Sequence, residues 1–222
     1  MMKSSAVPDP LQRVCRQWSE VFQQIPETQK KINYVLENLP DLLSDKSLFR
    51  SILRDVQDGA AYPDIRRATM FDNEIMLYLD SQRQFSVRLY LWGPGKYTPI
   101  HDHSSWGVIG TVSESLEIVK YERTDNGSEA DSARIQEKER LTLRPGELDV
   151  ALPLNKGIHK TGNPGKRGSI TLHIYGKPIR RPYINLFDLM TGSVGRLYPP
   201  KTYKRMLASE ALLGLEPSTK AG

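Results

Sequence analysis

Histidine is scarce in this chain, four residues in 222, and all four lie between positions 101 and 173. His101 and His103 are separated by one residue, so an extended backbone projects both imidazoles from one face and turns Asp102 to the other. Two imidazoles on one face can grip one metal ion, and His159, in Gly157-Ile158-His159, offers a third nitrogen. Any one of these histidines alone would be read as a buried ring satisfied by its neighbours; the paired spacing plus a third ring points to metal. Thr171, His173 and Tyr175 stand at i, i+2 and i+4, so a strand presents a hydroxyl, an imidazole and a phenol in line while Ile170, Leu172 and Ile174 pack behind. Such a line can relay a proton, or its members can simply satisfy one another. The single cysteine, Cys15, excludes an intramolecular disulfide and any cysteine-based zinc site, and its helical setting reads as a small buried hydrophobe.

The elements that must hold these groups change character along the chain. Leu11, Val14, Trp18 and Phe22 form one apolar stripe at helical spacing, Ile32, Val35, Leu36 and Leu39 a second, and Leu48, Ile52 and Val56 a third. Pro26 and Pro40 fall where helices should start or stop. This predicts a helical N-terminal region over 1–68 with no catalytic cluster. From Ile75 onward the pattern is short β-type runs. Phe85, Val87, Leu89 and Leu91 alternate with Ser86, Arg88, Tyr90 and Trp92, and further runs cover Trp106 to Thr111, Ser115 to Tyr121, Arg140 to Leu143, Glu147 to Leu152 and Ser169 to Tyr175. Turn signals separate them at Gly93-Pro94-Gly95, Asp125-Asn126-Gly127, Arg144-Pro145-Gly146 and Asn163-Pro164-Gly165. So many strands with so little helix between them argue against a βαβ fold and for a jelly-roll double sheet over 69–200. The segment after Tyr183 reads as irregular, Lys201 to Leu213 as a final helix within 201–222, and Glu216 to Gly222 as a frayed tail.

Composition narrows the class. With 38% hydrophobic and 26% charged residues, and 15 Pro and 16 Gly, the chain suits a globular protein rich in turns. Its net charge of +5 is scattered, with no basic stripe interleaved with aromatics, which argues against nucleic acid as a partner. No stretch approaches the ~20 apolar residues of a membrane span, and MMKSSAVPDP lacks the apolar centre of a signal peptide, so no membrane association and a cytoplasmic location are expected.

Around the histidines the sequence resembles the cupin superfamily. Gly95, five residues, and then His101-Asp102-His103 match its first motif, and Gly146, Pro153, Gly157, His159 and Asn163 follow the order of its second with slightly altered spacing. The resemblance implies a mainly β cupin jelly-roll (double-stranded β-helix) barrel after a short helical region, with His101, His103 and His159 as metal ligands. One departure stands out. Typical cupins carry a Glu ligand four or five residues after the second histidine, and Gly107 and Val108 stand there instead, with Glu114 and Glu117 too far along to replace it. Three neutral imidazoles leave a divalent ion's charge uncompensated, which favours an anionic, electron-rich ligand such as a thiolate.

Leu91-Trp92-Gly93-Pro94-Gly95, Pro99-Ile100-His101-Asp102-His103, Trp106-Gly107-Val108-Ile109-Gly110 and Leu172-His173-Ile174-Tyr175-Gly176 resemble the cysteine dioxygenase family, nearest its bacterial branch, which includes 3-mercaptopropionate dioxygenases. That likeness implies Fe(2+) on the three histidines and a relay of Thr171, His173 and Tyr175, with Thr171 in place of the usual Ser. It implies a small thiol and O2 as substrates. With Gly107 near the position of the animal-type cysteine, no cross-link to Tyr175 is expected. The family's usual carboxylate-binding Arg is not recognisable in Met70 to Asp80, and Arg180, Arg181 and Arg88 are the candidates to hold a substrate carboxylate, since a planar guanidinium can pair both oxygens. Trp92, Trp106 and Tyr97 are expected either to wall the pocket or to sit in the core. A carbon–carbon-cleaving cupin dioxygenase and a non-catalytic metal-binding cupin are the alternative functions.

Overall fold

The structure is a computed structural model that describes residues 8–59 and 69–215; the expectations for 60–68 and for the tail 216–222 fall outside those residues. Three helices come first: α1 (Asp9–Gln24), α2 (Thr28–Ser44) and α3 (Lys46–Gln57). Their apolar stripes bury Leu11, Trp18 and Phe22, then Ile32, Val35 and Leu39, then Leu48 and Ile52. Cys15 is buried in the first of these stripes, and burial pushes its thiol pKa up, so it behaves as a hydrophobe. The Asp45 carboxylate accepts from the Leu48 backbone N–H at 3.0 Å and so starts α3. Pro40 does not end a helix as its type suggests. It lies inside α2, where the burial of Leu39, Leu42 and Leu43 on either side carries the helix through the one hydrogen bond a proline removes.

Eleven strands follow: β1 (Glu74–Leu79), β2 (Phe85–Trp92), β3 (Ile100–His101), β4 (Gly107–Ser113), β5 (Leu116–Arg123), β6 (Ile135–Leu143), β7 (Leu148–Ala151), β8 (His159–Gly162), β9 (Ser169–Gly176), β10 (Ile184–Phe187) and β11 (Val194–Leu197). The chain closes with α4 (Pro200–Leu215). The strands form two antiparallel sheets, one in the order β1-β2-β9-β4-β7 and the other β11-β10-β3-β8-β5-β6. Tyr90, Trp92, Ile109 and Tyr175 of the first sheet pack with Leu116, Ile118 and Leu143 of the second, so the two sheets enclose a common interior. This is the double-stranded β-helix arrangement, mainly β with helices at its N-terminal side.

The helices cover the outer face of the first sheet. Trp18, Phe22, Leu39 and Leu43 join Phe85, Val87, Leu89, Leu172 and Ile174 in one cluster. The alternation of β2 and β9 therefore has two destinations: apolar residues meet the helices and polar ones enter the barrel.

Two expectations are corrected here. The segment after Tyr183 is ordered as the β10–β11 hairpin, with Leu186 opposite His101, because β10 finds its partner in β3, more than eighty residues earlier in the chain. The strand foreseen from Arg140 to Leu143 starts at Ile135 and pairs with the whole of β5; its early residues are exposed and carry little apolar pattern to read. No helix among the described residues is long and apolar enough to cross a membrane.

Candidate metal centre and its hydrogen-bonded wall

His101 closes β3 opposite His159 in β8, and His103 follows two residues past the strand. The pairing brings all three rings together: their centroids lie 4.9 Å (101–103), 4.8 Å (101–159) and 4.6 Å (103–159) apart, and one nitrogen from each falls within 4.8 Å of the others. All three are buried. His101 Nδ1 lies 2.9 Å from the Pro99 carbonyl, so it carries the proton and leaves Nε2 with a free lone pair. His103 Nε2 and His159 Nε2 face each other at 2.8 Å. Two nitrogens each ~2.1 Å from one ion at a right angle would stand about 3 Å apart, so this approach fits a shared divalent cation.

Electrostatics agree with that donor set. Burial, reinforced by the neighbouring rings and cations, holds His103 and His159 well below the ordinary histidine pKa, and burial lowers His101 as well. Neutral imidazoles are the ligating form.

Asp102 turns away from the histidines and is fully buried. Its carboxylate accepts two bonds of 2.7 Å from Arg181, one of 2.8 Å from the Asn185 backbone N–H and one of 3.0 Å from the Asn185 side chain. The residue between the two ligands thus ties their segment to β10 and is not itself a ligand.

The Glu ligand of typical cupins has no room here. Gly107 lies opposite Tyr175 in the β4–β9 ladder, and a Cβ on it would come within 2.7 Å of the Tyr175 ring. A Cβ on Gly176 would come within 2.1 Å of the Trp106 indole. Gly107 lets Tyr175 lie flat against the sheet, its ring 5.7 Å from that of His103 with 27° between the planes, and Gly176 gives the same room to Trp106.

Beside the histidines, β2 and β9 present facing polar rows. Ser86, Arg88 and Tyr90 stand opposite Tyr175, His173 and Thr171. Thr171 Oγ1 lies 2.8 Å from His173 Nε2, and His173 Nδ1 lies 3.1 Å from the Tyr175 hydroxyl. Trp92 Nε1 donates to Thr171 Oγ1 at 2.9 Å, which fixes the direction of the chain. Thr171 is fully buried, so its one proton must go to His173 Nε2; the other tautomer would strand it. His173 then donates from Nδ1 to Tyr175. The Tyr90 hydroxyl also bonds to that of Tyr175. With its oxygen accepting from His173, Tyr175 keeps its own proton to donate. Burial, aided by the Glu74 charge, pushes the Tyr175 phenol up to about 12, and burial followed by the Arg88 charge pushes His173 down to about 3. The chain is neutral and charged with protons at any ordinary pH.

These groups open on a cavity of about 490 Å³ lined by His101, His103, Tyr175, Tyr90, Arg88 and Phe71, among others. The Arg88 guanidinium lies 5.1 Å over the Tyr175 ring, pairs with buried Glu74, and donates to Ser86 Oγ at 3.1 Å. Of the three candidate arginines, Arg88 and Arg181 line this cavity, but the fork of Arg181 is committed to Asp102. Arg180 is exposed and off the cavity wall, which corrects its place among the candidates: β9 has ended and the chain has turned outward. Of the two alternatives for the aromatics, Trp92 and Trp106 take the core, and none of the three lines the cavity. Trp106 packs against Phe22 of α1 at 6.3 Å, Trp92 holds Thr171 from behind, and Tyr97 lies against Gly162; the cavity's aromatics are Phe71, Phe85, Tyr90 and Tyr175. Tyr90 and Glu74 were not singled out from sequence. The signal for Tyr90 was its place two residues after Arg88 on the polar face of β2, which becomes decisive only with the β2–β9 register.

No protein-family model matches the chain. Among solved structures it is similar to a Cupin 2 conserved barrel domain protein from Salinispora arenicola, with 13% identity over 51% of this chain and 85% of that one and a TM-score of 0.36. It is similar to a conserved protein with a double-stranded β-helix domain from Klebsiella pneumoniae, with 13% identity over 63% and 92% and a TM-score of 0.36. An RmlC-like cupin protein from Ralstonia eutropha gives 14% identity over 66% and 80% and a TM-score of 0.37. In this chain's own structure, the double-stranded β-helix carries a buried group of three histidines able to hold a metal ion.

Proposed function

We propose that this chain is a thiol dioxygenase, which adds both atoms of O2 to the sulfur of a small thiol carboxylate (3-mercaptopropionate, cysteine or a relative) at an iron(II) held by His101, His103 and His159. The balance is simple: a thiolate and one O2 give one sulfinate. When bound, iron(II) in this neutral ligand set would favour the thiolate over the thiol and supply the redox chemistry that activates dioxygen. The observation that carries the reading is the hydrogen-bonded chain Thr171–His173–Tyr175, which ends in a proton-bearing phenol stacked beside His103 in the cavity that His101 and His103 line. A cupin that only stored metal would have no use for such a proton donor.

The chain's residues have separable roles. Arg88, braced by Glu74 and Ser86, offers a guanidinium to the substrate carboxylate on the wall that carries Tyr175. Tyr175 donates a hydrogen bond from its hydroxyl to oxygen or sulfur as charge develops there, keeping its proton, while His173, Thr171 and Trp92 hold the phenol in that orientation. Phe71, edge-on to His101 at 5.2 Å, and Tyr90 keep water from the inner end.

The test is oxygen uptake by iron-loaded protein with 3-mercaptopropionate, cysteine, cysteamine and mercaptosuccinate. Stoichiometric uptake with formation of a sulfinate is expected for at least one. Bound metal with no thiol-dependent uptake across that set would retire the proposal in favour of a metal-binding protein, and uptake with diketones or flavonols in favour of a carbon–carbon-cleaving enzyme.

A further inference from the structure

The cavity's charge is one-sided. Among the described residues its lining includes Arg83, Arg88, Lys177 and Arg181 and no Asp or Glu. Acids stand behind the wall and are already answered: Glu74 by Arg88 and Asp102 by Arg181. Asp80, in the β1–β2 turn beside Arg83, is 1% exposed; its carboxylate accepts from Ser19 and from the backbone N–H groups of Gln82 and Gln84. Arg83 and Lys177 are exposed cavity residues with no acid paired to them among the described residues.

Their position follows from register. Tyr175 faces Ser86 and Gly176 faces Phe85, so Lys177 emerges where β9 leaves the sheet, next to the turn that carries Arg83. Lys31 of α2, 3.4 Å from Gln84 in the same turn, adds positive charge that the Asp80 carboxylate attracts and, more weakly, Lys177 repels. Charge is thus neutralised at depth by Glu74 and left over at the rim. At about 490 Å³ the cavity is within the range that holds drug-sized ligands, roomier than a six-heavy-atom thiol acid needs.

Resting on the thiol dioxygenase reading, we propose that the preferred substrate is a thiol with two acidic groups and no amine, one carboxylate set toward Arg88 in the wall and the other held at the rim by Arg83 and Lys177. An ammonium group in this cavity would face cations with no described carboxylate to receive it, so zwitterionic thiols are disfavoured by the same charges that favour diacids. Each rim charge acts partly in solvent, so its effect on affinity is about fivefold and falls with added salt.

The test separates binding from turnover. Metal-loaded protein is titrated by calorimetry at low ionic strength with three thiol-free probes of similar length: glutarate, butyrate and 4-aminobutyrate. Glutarate is expected to bind at least about fivefold more tightly than butyrate, with 4-aminobutyrate weakest. The double variant Arg83→Gln/Lys177→Gln should bring glutarate to within about twofold of butyrate and leave butyrate unchanged. Equal binding of glutarate and butyrate, no glutarate binding, tightest binding of 4-aminobutyrate, or a glutarate preference that survives in the double variant would each overturn the inference. Oxygen uptake with mercaptosuccinate and 3-mercaptopropionate judges the underlying reading separately. If neither is oxidised while the calorimetric order holds, diacid selectivity stands and dioxygenation falls. If both are oxidised and glutarate has no advantage, selectivity alone falls.

Discussion

Strands β2 and β9 have two faces that are built on opposite principles. One face sets Phe85, Val87, Leu89, Leu172 and Ile174 against Trp18, Phe22 and Leu39 of the helices. The other sets Ser86, Arg88 and Tyr90 against Tyr175, His173 and Thr171 inside the barrel, also out of water except at half-buried Arg88. The apolar face is held by contacts that are individually weak and tolerant of exchange. The polar face is held by directed bonds whose donors and acceptors are matched one to one, from Trp92 through Thr171 and His173 to Tyr175. A strand can carry both because alternation sends successive side chains to different surroundings. The helices therefore act on the site by fixing the backbone from which the polar row projects, without touching it.

Substitutions on the two faces should accordingly part company in what they damage. The largest effect belongs to His159→Ala. Metal stoichiometry should fall from one toward zero and thiol-dependent uptake should vanish, while circular dichroism keeps the β signature; retained metal at full stoichiometry would show that His159 is not a ligand. On the opposite face, Leu172→Ala removes a fully buried side chain from the helix-facing core and should cost about 2–5 kcal/mol in denaturant unfolding, with metal content in the folded protein unchanged. A stability loss under about 1 kcal/mol would mean that the helices do not anchor β9.

The two faces also differ in how far they could be read in advance. The apolar stripes of the helices and the alternation of β2 and β9 are local patterns, and the structure buries most of the residues those patterns marked, with Val14, Leu36, Val56 and Leu91 half-buried. The histidine grouping was legible too, because one-residue spacing and a distant third ring need only strand geometry and a closed barrel. What stayed out of reach depended on pairing across the fold. Asn185 and Arg181 on Asp102, Tyr90 on Tyr175, and the hairpin of β10 and β11 are set by partners dozens of residues away. Gly107 shows the limit most clearly. In sequence it marks a missing ligand, whereas its cause, the Tyr175 ring lying where a side chain would go, exists only in the β4–β9 register.

Within the polar row, the end of the chain of bonds should matter for turnover more than for folding. Tyr175→Phe removes the hydroxyl that carries the free proton but keeps the ring against Gly107 and beside His103. Uptake should slow by about a hundredfold, at the low end for loss of a positioned proton donor, with metal content and melting temperature nearly unchanged. Turnover within about threefold of the parent would remove the phenol from the chemistry and leave the row a purely structural feature.

The smallest effect is a dependence on acid that only the polar face should show. In the folded protein His173 is neutral, its pKa pushed down to about 3 by burial and then by Arg88, whereas in the unfolded chain it takes up a proton near 6.5. Below pH 6.5 the unfolded state therefore binds more protons than the native state, so stability falls as pH falls, by up to about 1.4 kcal/mol per pH unit for this one group, until pH nears 3. The comparison to make is urea unfolding at pH 6.0 and 5.0 of the parent, of His173→Gln and of Leu172→Ala. Leu172→Ala starts lower and should run parallel to the parent, because it removes no titrating group. His173→Gln should lose less on acidification by roughly 1 kcal/mol, because one proton no longer distinguishes the two states. Parallel lines for all three proteins would show that His173 is already protonated in the fold, and the direction assigned to the Thr171–His173 bond would then have to be reversed.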